Sequence, residues 1–536
     1  MTQVHYSALG LTRPGEGKLL NESATATRRD WIAPVALVLI AWLVRELRWL
    51  QCAVMMNDGP EFIGLAQRIA AGDWATALAH KYHPGYPAAI AAAHALTPSW
   101  ESAAAGVSVL AGALAVGGLY AFLREGFDRR VAAIGGFLLA VQPVAIELSD
   151  VQSDPLYLAF FLWSAALLLR AYLRESAASA LGAGALAGLA YLTRPEGVGT
   201  VVVGVALAAF EVLRRHWTVS KALRAAAPLC IGAALVMSPY VAVVSLQSGE
   251  LSLTQKKSLT HLLGLSGGEA HAPKPVDPLI AGRTDLAPLP HGARPFRDVT
   301  VATGAASLPF AAKQVVSETL KALRPEGVLL LVIGLFAARG RPGRRGWLVA
   351  AYIGLYLVVL FGLAASSAYL SRRHVLPPVT LLFGYEALGV CALADGLARL
   401  RALAARPALR LALPLAVVAA LGLGKSLRPD RVESLPERRA AEWIRAEGAL
   451  APGEAVAAVK QRVGYYSGAP FVDLRHAPHP AVLLEYLRRE HVRYVVVNER
   501  EREELLRLTA AAPDALAERR RMELGRHTAF VFELRG

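Results

Sequence analysis

Acidic side chains beside a bilayer are costly unless they cap, pair or react, and this sequence places several of them there. Asp58 and Glu61 lie in Met56-Asn57-Asp58-Gly59-Pro60-Glu61-Phe62, just beyond the first long apolar run. Asp58 in that position suits a general base or a metal ligand. The same residues also read as a helix cap, because Asp-x-x-Glu with a proline between is a capping-box arrangement. Phe62, Ile63, Leu65, Ala66, Ile69 and Ala70 would then line one face of an amphipathic helix lying along the interface. Taken alone, the motif reads first as a cap, and a residue at a helix start is also well presented for chemistry. Gln152-Ser153-Asp154-Pro155 repeats the choice: an N-cap followed by proline, or a second acid facing the same cavity as Asp58. Two such acids could share a proton, hold a divalent cation, or bind an amine or sugar hydroxyls. No cofactor is demanded by the pattern, and a divalent cation on Asp58 and Asp154 is the one candidate metal.

The basic residues point to an anionic ligand. Thr193-Arg194-Pro195-Glu196 and Ser371-Arg372-Arg373-His374-Val375-Leu376-Pro377 put arginines in short loops that are otherwise poor in positive charge. Arginine forks bind phosphate oxygens bidentately, which suits a phosphorylated lipid head group. Lys256 and Lys257 open a long loop and could join the same site, and Lys81 and His83 stand where the first loop returns to apolar sequence. The competing reading for the cations is snorkelling to lipid phosphates, and for His83 a structural hydrogen bond. His261, His271 and His291 follow no metal-ligand spacing. No glycine-rich loop of the Walker or Rossmann kind is present, so neither ATP nor a nucleotide sugar has an evident site.

The elements that must position these residues are membrane helices. The chain of 536 residues is 54% hydrophobic and only 18% charged, with a mean hydropathy of +0.39, which excludes an ordinary soluble domain. Apolar runs suited to a ~30 Å hydrocarbon core recur at 31–50, 131–148, 153–171, 178–193, 196–213, 221–246, 324–338, 347–364, 374–397 and 411–427. Residues 86–123 are interrupted by Pro98-Ser99-Trp100-Glu101 and are read as one net crossing with a short first piece. The expectation is an α-helical polytopic membrane protein with about 11–13 transmembrane helices, by the length each crossing needs.

The net charge of +15 does not indicate nucleic acid, because Arg and Lys are spread over short loops, the pattern of the positive-inside rule. Arg124, Arg129 and Arg130, Arg170 and Arg174, Arg214 and Arg215, Arg339 to Arg345 and Arg399 to Arg410 then share the cytoplasmic side with the N-terminus. The Asp58 loop, Asp154, Arg194, the loop 247–323, Arg372 and Arg373, and everything after about 428 fall outside. The first 30 residues lack a signal-peptide pattern, so the first span is expected to serve as the insertion signal. Cys52, Cys230 and Cys391 make neither a disulfide framework nor a zinc spacing. The expected domains are a cytoplasmic tail over 1–30, a membrane domain over 31–427 with outer loops 51–85 and 247–323, and an extracytoplasmic α/β domain over 428–536. That last region alternates strand-like runs (Ala455–Lys460, Arg493–Asn498, Thr528–Leu534) with helix-like ones (Glu437–Glu447, Val482–Glu490).

In this order, Asp58–Glu61, His83-Pro84-Gly85-Tyr86-Pro87, Ser153-Asp154-Pro155-Leu156, Arg194-Pro195-Glu196-Gly197 and Arg373-His374-Val375-Leu376-Pro377 ahead of an outer domain, the chain resembles the GT-C membrane glycosyltransferases of the family 39/83 type. These include protein O-mannosyltransferases and the aminoarabinose transferase of lipid A. The resemblance implies a polyprenyl-phosphate sugar donor, transfer on the outer face, Asp58 as the first-loop catalytic acid, Asp154 as the second acidic position, and Arg372/Arg373 as the arginine that meets the lipid phosphate. Two departures stand out: the usual Asp-Glu pair is here Asp58-Gly59 with Glu61 following, and the usual Arg-Tyr is Arg373-His374.

The reading is therefore a glycosyltransferase in which Asp58 is the base, with Glu61, Lys81, His83, Asp154, Arg194, Lys256, Lys257, Arg372 and Arg373 as the substrate-binding set. Its partners are a polyprenyl-phosphate sugar, membrane lipid and an acceptor of undetermined class, with no nucleic acid. The alternatives are a transporter or flippase for an anionic lipid-linked substrate, whose charges would sit near mid-membrane in broken, repeated helices, and a non-catalytic scaffold.

Overall fold

The structure, a computed structural model, describes residues 30–255, 307–339, 344–367, 370–448 and 450–535, with Pro278, Leu279, Arg283 and Phe296 between them. The helical part runs α1 (Ile32–Leu50), α2 (Gly59–Ala70), α3 (Trp74–Leu78), α4 (Gly85–His94), α5 (Trp100–Gly126), α6 (Arg129–Ala140), α7 (Pro143–Glu147), α8 (Asp154–Arg174), α9 (Ala177–Thr193), α10 (Gly199–Leu213) and α11 (Val219–Ser248). It continues through α12 (Leu308–Ala337), α13 (Arg344–Ser367), α14 (Arg372–Leu397), α15 (Arg401–Ala404) and α16 (Pro407–Ser426). Helices are the form such apolar segments must take, because hydrocarbon offers no partner for backbone N–H and C=O groups.

Among the described residues, seven helices are long and apolar enough to cross a membrane: α5, α8, Pro195–Leu213, α11, α13, α14 and α16. The other expected crossings depart from that standard for identifiable reasons. Helix α1 has the length but carries Arg45, Glu46 and Arg48, and α9 has only 17 residues. The run 131–148 is two helices, because Pro143 brings no N–H and the Gln142 side chain restarts the helix by accepting from the Ala145 N–H at 3.0 Å. Helix α12 breaks at Arg324, which takes φ 65° ahead of Pro325. At ten residues, α4 is too short to cross, whereas α5 is long and apolar enough to do so. The fully buried Arg45 is explained by α6: its guanidinium donates to Ala140 O at 3.3 Å and Leu139 O at 3.4 Å, and to Ala41 O at 3.2 Å. Leu139 and Ala140 end α6, where carbonyls are left free and positive charge is favourable.

After α16 the chain builds a small α/β domain. Strands β1 (Ala455–Ala458), β2 (Phe471–Asp473), β3 (Val492–Asn498), β4 (Leu516–Leu524) and β5 (His527–Leu534) form one sheet in the order β2-β1-β3-β5-β4. β1 is parallel to β2 and β3, whereas β5 is antiparallel to both β3 and β4. Helices α17 (Leu435–Glu447), α18 (Arg462–Ser467), α19 (Leu483–Arg489) and α20 (Glu499–Leu508) complete it. The domain is not tethered loosely. Val54, Met55, Phe62 and Ile63 from the first loop and α2 share one buried cluster with Ala440, Ile444, Val463 and Tyr466.

Candidate active site

A cavity of about 230 Å³ opens where the starts of α2, α4, α8 and α14 meet the end of α9, and Asp58, His83, Asp154, Arg194 and Arg373 all line it. Five of the residues singled out by sequence, drawn from segments more than three hundred residues apart, thus face one space.

Asp58 occupies the N-cap position of α2, but its side chain makes no cap hydrogen bond. The capping-box reading of Asp58 and Glu61 is therefore corrected: the Asp58 carboxylate is turned to the cavity, 3.9 Å from the Arg373 guanidinium. At that distance the two charges attract without a hydrogen bond. The buried Nε of Arg373 has no hydrogen-bond partner among the described residues. A buried unpaired donor costs on the order of 1–3 kcal/mol, which a ligand oxygen would recover.

Asp154 is not a cap either; it lies inside the first turn of α8 and pairs with Arg194 at 2.6 Å, both side chains nearly buried. Arg194 also approaches Glu196 at 3.6 Å and lies over the Tyr157 ring. This arginine is already satisfied by carboxylates, so it serves as a wall of the cavity rather than as an open anion site. His83 acts as the structural reading expects while lining the cavity, with Nδ1 2.6 Å from Tyr191 O and Nε2 2.9 Å from Thr254 Oγ1. It ties the returning first loop to α9 and to the segment after α11.

The glycines of the two quoted motifs have a steric origin. A Cβ on Gly85 would stand 2.7 Å from Leu192 O, and one on Gly197 would stand 2.2 Å from Tyr191 N. Both sites permit backbone against backbone at the end of α9, which brings Arg194 and His83 to the same wall.

Three expected binders lie elsewhere. Arg372 turns away from the cavity to Glu147, at 2.8 Å, beside Lys425. Glu61 pairs with His80 at 2.7 Å and Lys81 at 3.3 Å, and neither Glu61 nor Lys81 lines the cavity. Burial alone would push the Glu61 carboxyl up, but the His80 hydrogen bond and the Lys81 charge hold it below its ordinary value. Lys256 and Lys257 lie outside the described residues, as do His261, His271, His291 and the N-terminal tail. Among the described residues no group of three or more His, Cys, Asp and Glu is placed to hold a metal. Asp154 is paired with Arg194, at 2.6 Å, rather than with Asp58.

Tyr82 was not identified from sequence as a site residue. It lines the cavity and packs its ring on Phe62 at 4.7 Å between centroids. Burial and the nearby Asp58 charge push its phenol up, keeping the hydroxyl protonated. Its position between Lys81 and His83 was the one signal available.

A family model described as dolichyl-phosphate-mannose-protein mannosyltransferase matches residues 81–242. Among curated proteins none matches the chain by sequence. Among solved structures, ArnT from Cupriavidus metallidurans bound to undecaprenyl phosphate is similar at 14% identity and a TM-score of 0.59, covering 94% of this chain and 98% of that one. The oligosaccharyltransferase of Archaeoglobus fulgidus is similar at 15% identity and a TM-score of 0.52, covering 87% of this chain and 69% of that one. Its structure as AglB with an inhibitory peptide and a dolichol-phosphate matches at 14% and 0.52, over 88% and 70%. The chain therefore has the fold of the GT-C membrane glycosyltransferases, and its residues 81–242 match the dolichyl-phosphate-mannose-protein mannosyltransferase family.

Proposed function

We propose that this protein transfers a sugar from a polyprenyl-phosphate donor to an acceptor on the outer face of the bacterial inner membrane, with Asp58 as general base and Arg373 holding the donor phosphate. The observation that carries the reading is the pair itself: an uncapped carboxylate and a partly unsatisfied guanidinium facing each other across one cavity. The acceptor O–H or N–H attacks the anomeric carbon, its proton passes to Asp58, and the bond from that carbon to the phosphate oxygen breaks. The electron pair leaves with the polyprenyl phosphate, whose growing charge Arg373 stabilises. A single displacement of this kind inverts the anomeric centre.

The cavity is smaller than the roughly 300–1,000 Å³ usual for a whole ligand. It fits the sugar-phosphate head, with the isoprenoid chain lying along lipid-facing helices. The distribution of arginines and lysines over the loops supports this sidedness, and the similar structures bound to undecaprenyl phosphate and dolichol-phosphate support the donor class. The charges around the cavity stand at helix ends, which favours a surface reaction over passage through the bilayer.

The test is transfer from labelled polyprenyl-phosphate sugars by the purified protein in lipid vesicles. Asp58→Asn should lose about 10²- to 10⁴-fold in kcat, the usual worth of a general base, while still binding polyprenyl phosphate. Wild-type turnover in that variant would refute the assignment.

A further inference from the structure

Most of the hydrogen bonds that hold the segment delivering Asp58 to the cavity come from the C-terminal domain and its linker. Ala53 N–H donates to Asp430 O at 3.1 Å and Asp430 N–H donates back to Gln51 O at 3.2 Å, making a short bridge beside Cys52. Ala53 O accepts from Arg438 Nη1 at 3.0 Å. Met55 N–H donates to the Tyr466 hydroxyl at 3.2 Å, and that hydroxyl donates to Glu101 at 3.3 Å. The Arg438 guanidinium lies over the Tyr466 ring, 4.6 Å from its centroid. Met56 N–H donates to Asp150 at 3.1 Å, and Asp150 is paired with Arg431. Arg48, at the end of α1, closes the arrangement on Asp430 at 2.5 Å.

These contacts hold the segment from Gln51 to Met56 through the Gln51 and Ala53 carbonyls and the Ala53, Met55 and Met56 N–H groups, and Gly59 N–H then turns on Met56 O at 3.0 Å to present Asp58. Hydrogen bonds to the backbone of a segment restrict its freedom, and a misplacement of about 1 Å at a base can cost about 10²-fold in rate. Tyr466 is central, because its hydroxyl joins the segment, α5 and the domain through one atom.

We propose that the C-terminal α/β domain is a built-in positioning element for the reaction, and that Tyr466 is a positioning residue that sets where Asp58 stands. The inference rests on the base role assigned to Asp58 above. It gives the domain a role in turnover that does not depend on whether the domain also meets the acceptor.

The experiment compares full-length variants in vesicles, with kcat expressed per binding site titrated by polyprenyl phosphate, so that loss of folded protein is removed from the rate. Tyr466→Phe keeps the ring under Arg438 and deletes only the hydroxyl. It should lower kcat per site by about 10- to 100-fold with donor KM unchanged. Arg438→Gln, which loses the donor to Ala53 O, is the second probe with the same expected split. Arg520→Ala, on the exposed edge strand β4, should leave kcat per site unchanged. A kcat per site within twofold of wild type in both Tyr466→Phe and Arg438→Gln overturns the proposal, and so does an equal loss in Arg520→Ala. Asp58→Asn, run alongside, separates the two readings. Activity in Asp58→Asn removes the base assignment, whereas an inactive Asp58→Asn beside fully active Tyr466→Phe and Arg438→Gln removes only the positioning role.

Discussion

Replacing Arg373 by alanine isolates the phosphate-holding step from the stability of the fold. At 3.9 Å the Asp58–Arg373 attraction would be about 4 kcal/mol at an effective dielectric of about 20. Both side chains are about a third exposed, so screening reduces the net contribution to about 1 kcal/mol or less. The folded protein should therefore tolerate Arg373→Ala with little change in thermal midpoint. Turnover should not. A charge-assisted hydrogen bond to the leaving phosphate is worth about 1.5–3 kcal/mol, or about 10- to 150-fold in kcat/KM. Arg373→Lys keeps the charge but loses the fork, and should recover only part of this. Arg372→Ala is the internal comparison, because that side chain is committed to Glu147 at 2.8 Å outside the cavity. It should change kcat/KM by less than about threefold, since rim charges contribute little. The assay is initial-rate transfer from a polyprenyl-phosphate sugar at varied donor concentration. Equal losses at the two arginines, or an Arg373→Ala within threefold of wild type, would refute the reasoning.

Other perturbations have equally definite outcomes. Arg194→Ala leaves Asp154 buried without its partner and should cost about 3–5 kcal/mol, seen as a lower thermal midpoint in detergent, while Arg194→Leu combined with Asp154→Leu should lose less than either single change. Gly85→Ala puts a methyl 2.7 Å from the Leu192 carbonyl and should destabilise by about 1–3 kcal/mol through overpacking, with weakened binding of polyprenyl phosphate as the wall shifts. Glu61 is held below its ordinary value by His80 and Lys81, so its contribution is complete above the ordinary carboxylate range and is lost as pH falls through the lowered value. Melting curves taken from pH 6 down to pH 3 should show a steeper acid loss for wild type than for Glu61→Gln, and identical slopes would rule this pair out as a source of acid sensitivity.

The membrane helices and most of the cavity were legible because both rest on local signals. Long apolar runs leave the backbone one solution in lipid, and Asp58, His83, Asp154, Arg194 and Arg373 stand at the ends of such runs. What one sequence could not show is direction. Arg372 and Arg373 are neighbours, but consecutive positions at a helix start point about 100° apart, and the choice between them depended on Glu147 in a helix created by the break at Val141-Gln142. Asp58 looked like a cap because the motif is local, whereas its actual neighbour Arg373 arrives 315 residues later. Glu61 and Lys81 found each other and His80 instead of the cavity. In the sheet, β4 was not seen because Leu516–Leu524 carries Arg519, Arg520 and Arg521 on an edge strand, where charge is useful. The three residues of β2 are too few to show a period.

The tie between Gln51–Met56 and the domain that begins near residue 430 also sets a schedule for biosynthesis. The Asp58 loop emerges from the ribosome early, while Arg438 and Tyr466 follow 385 and 411 residues behind the backbone groups they hold. Throughout that interval the nascent chain can insert its helices, yet the loop has none of these partners. Transfer competence should therefore switch on late, once the sheet has folded and docked, and a partly made chain in the membrane would not consume donor lipid.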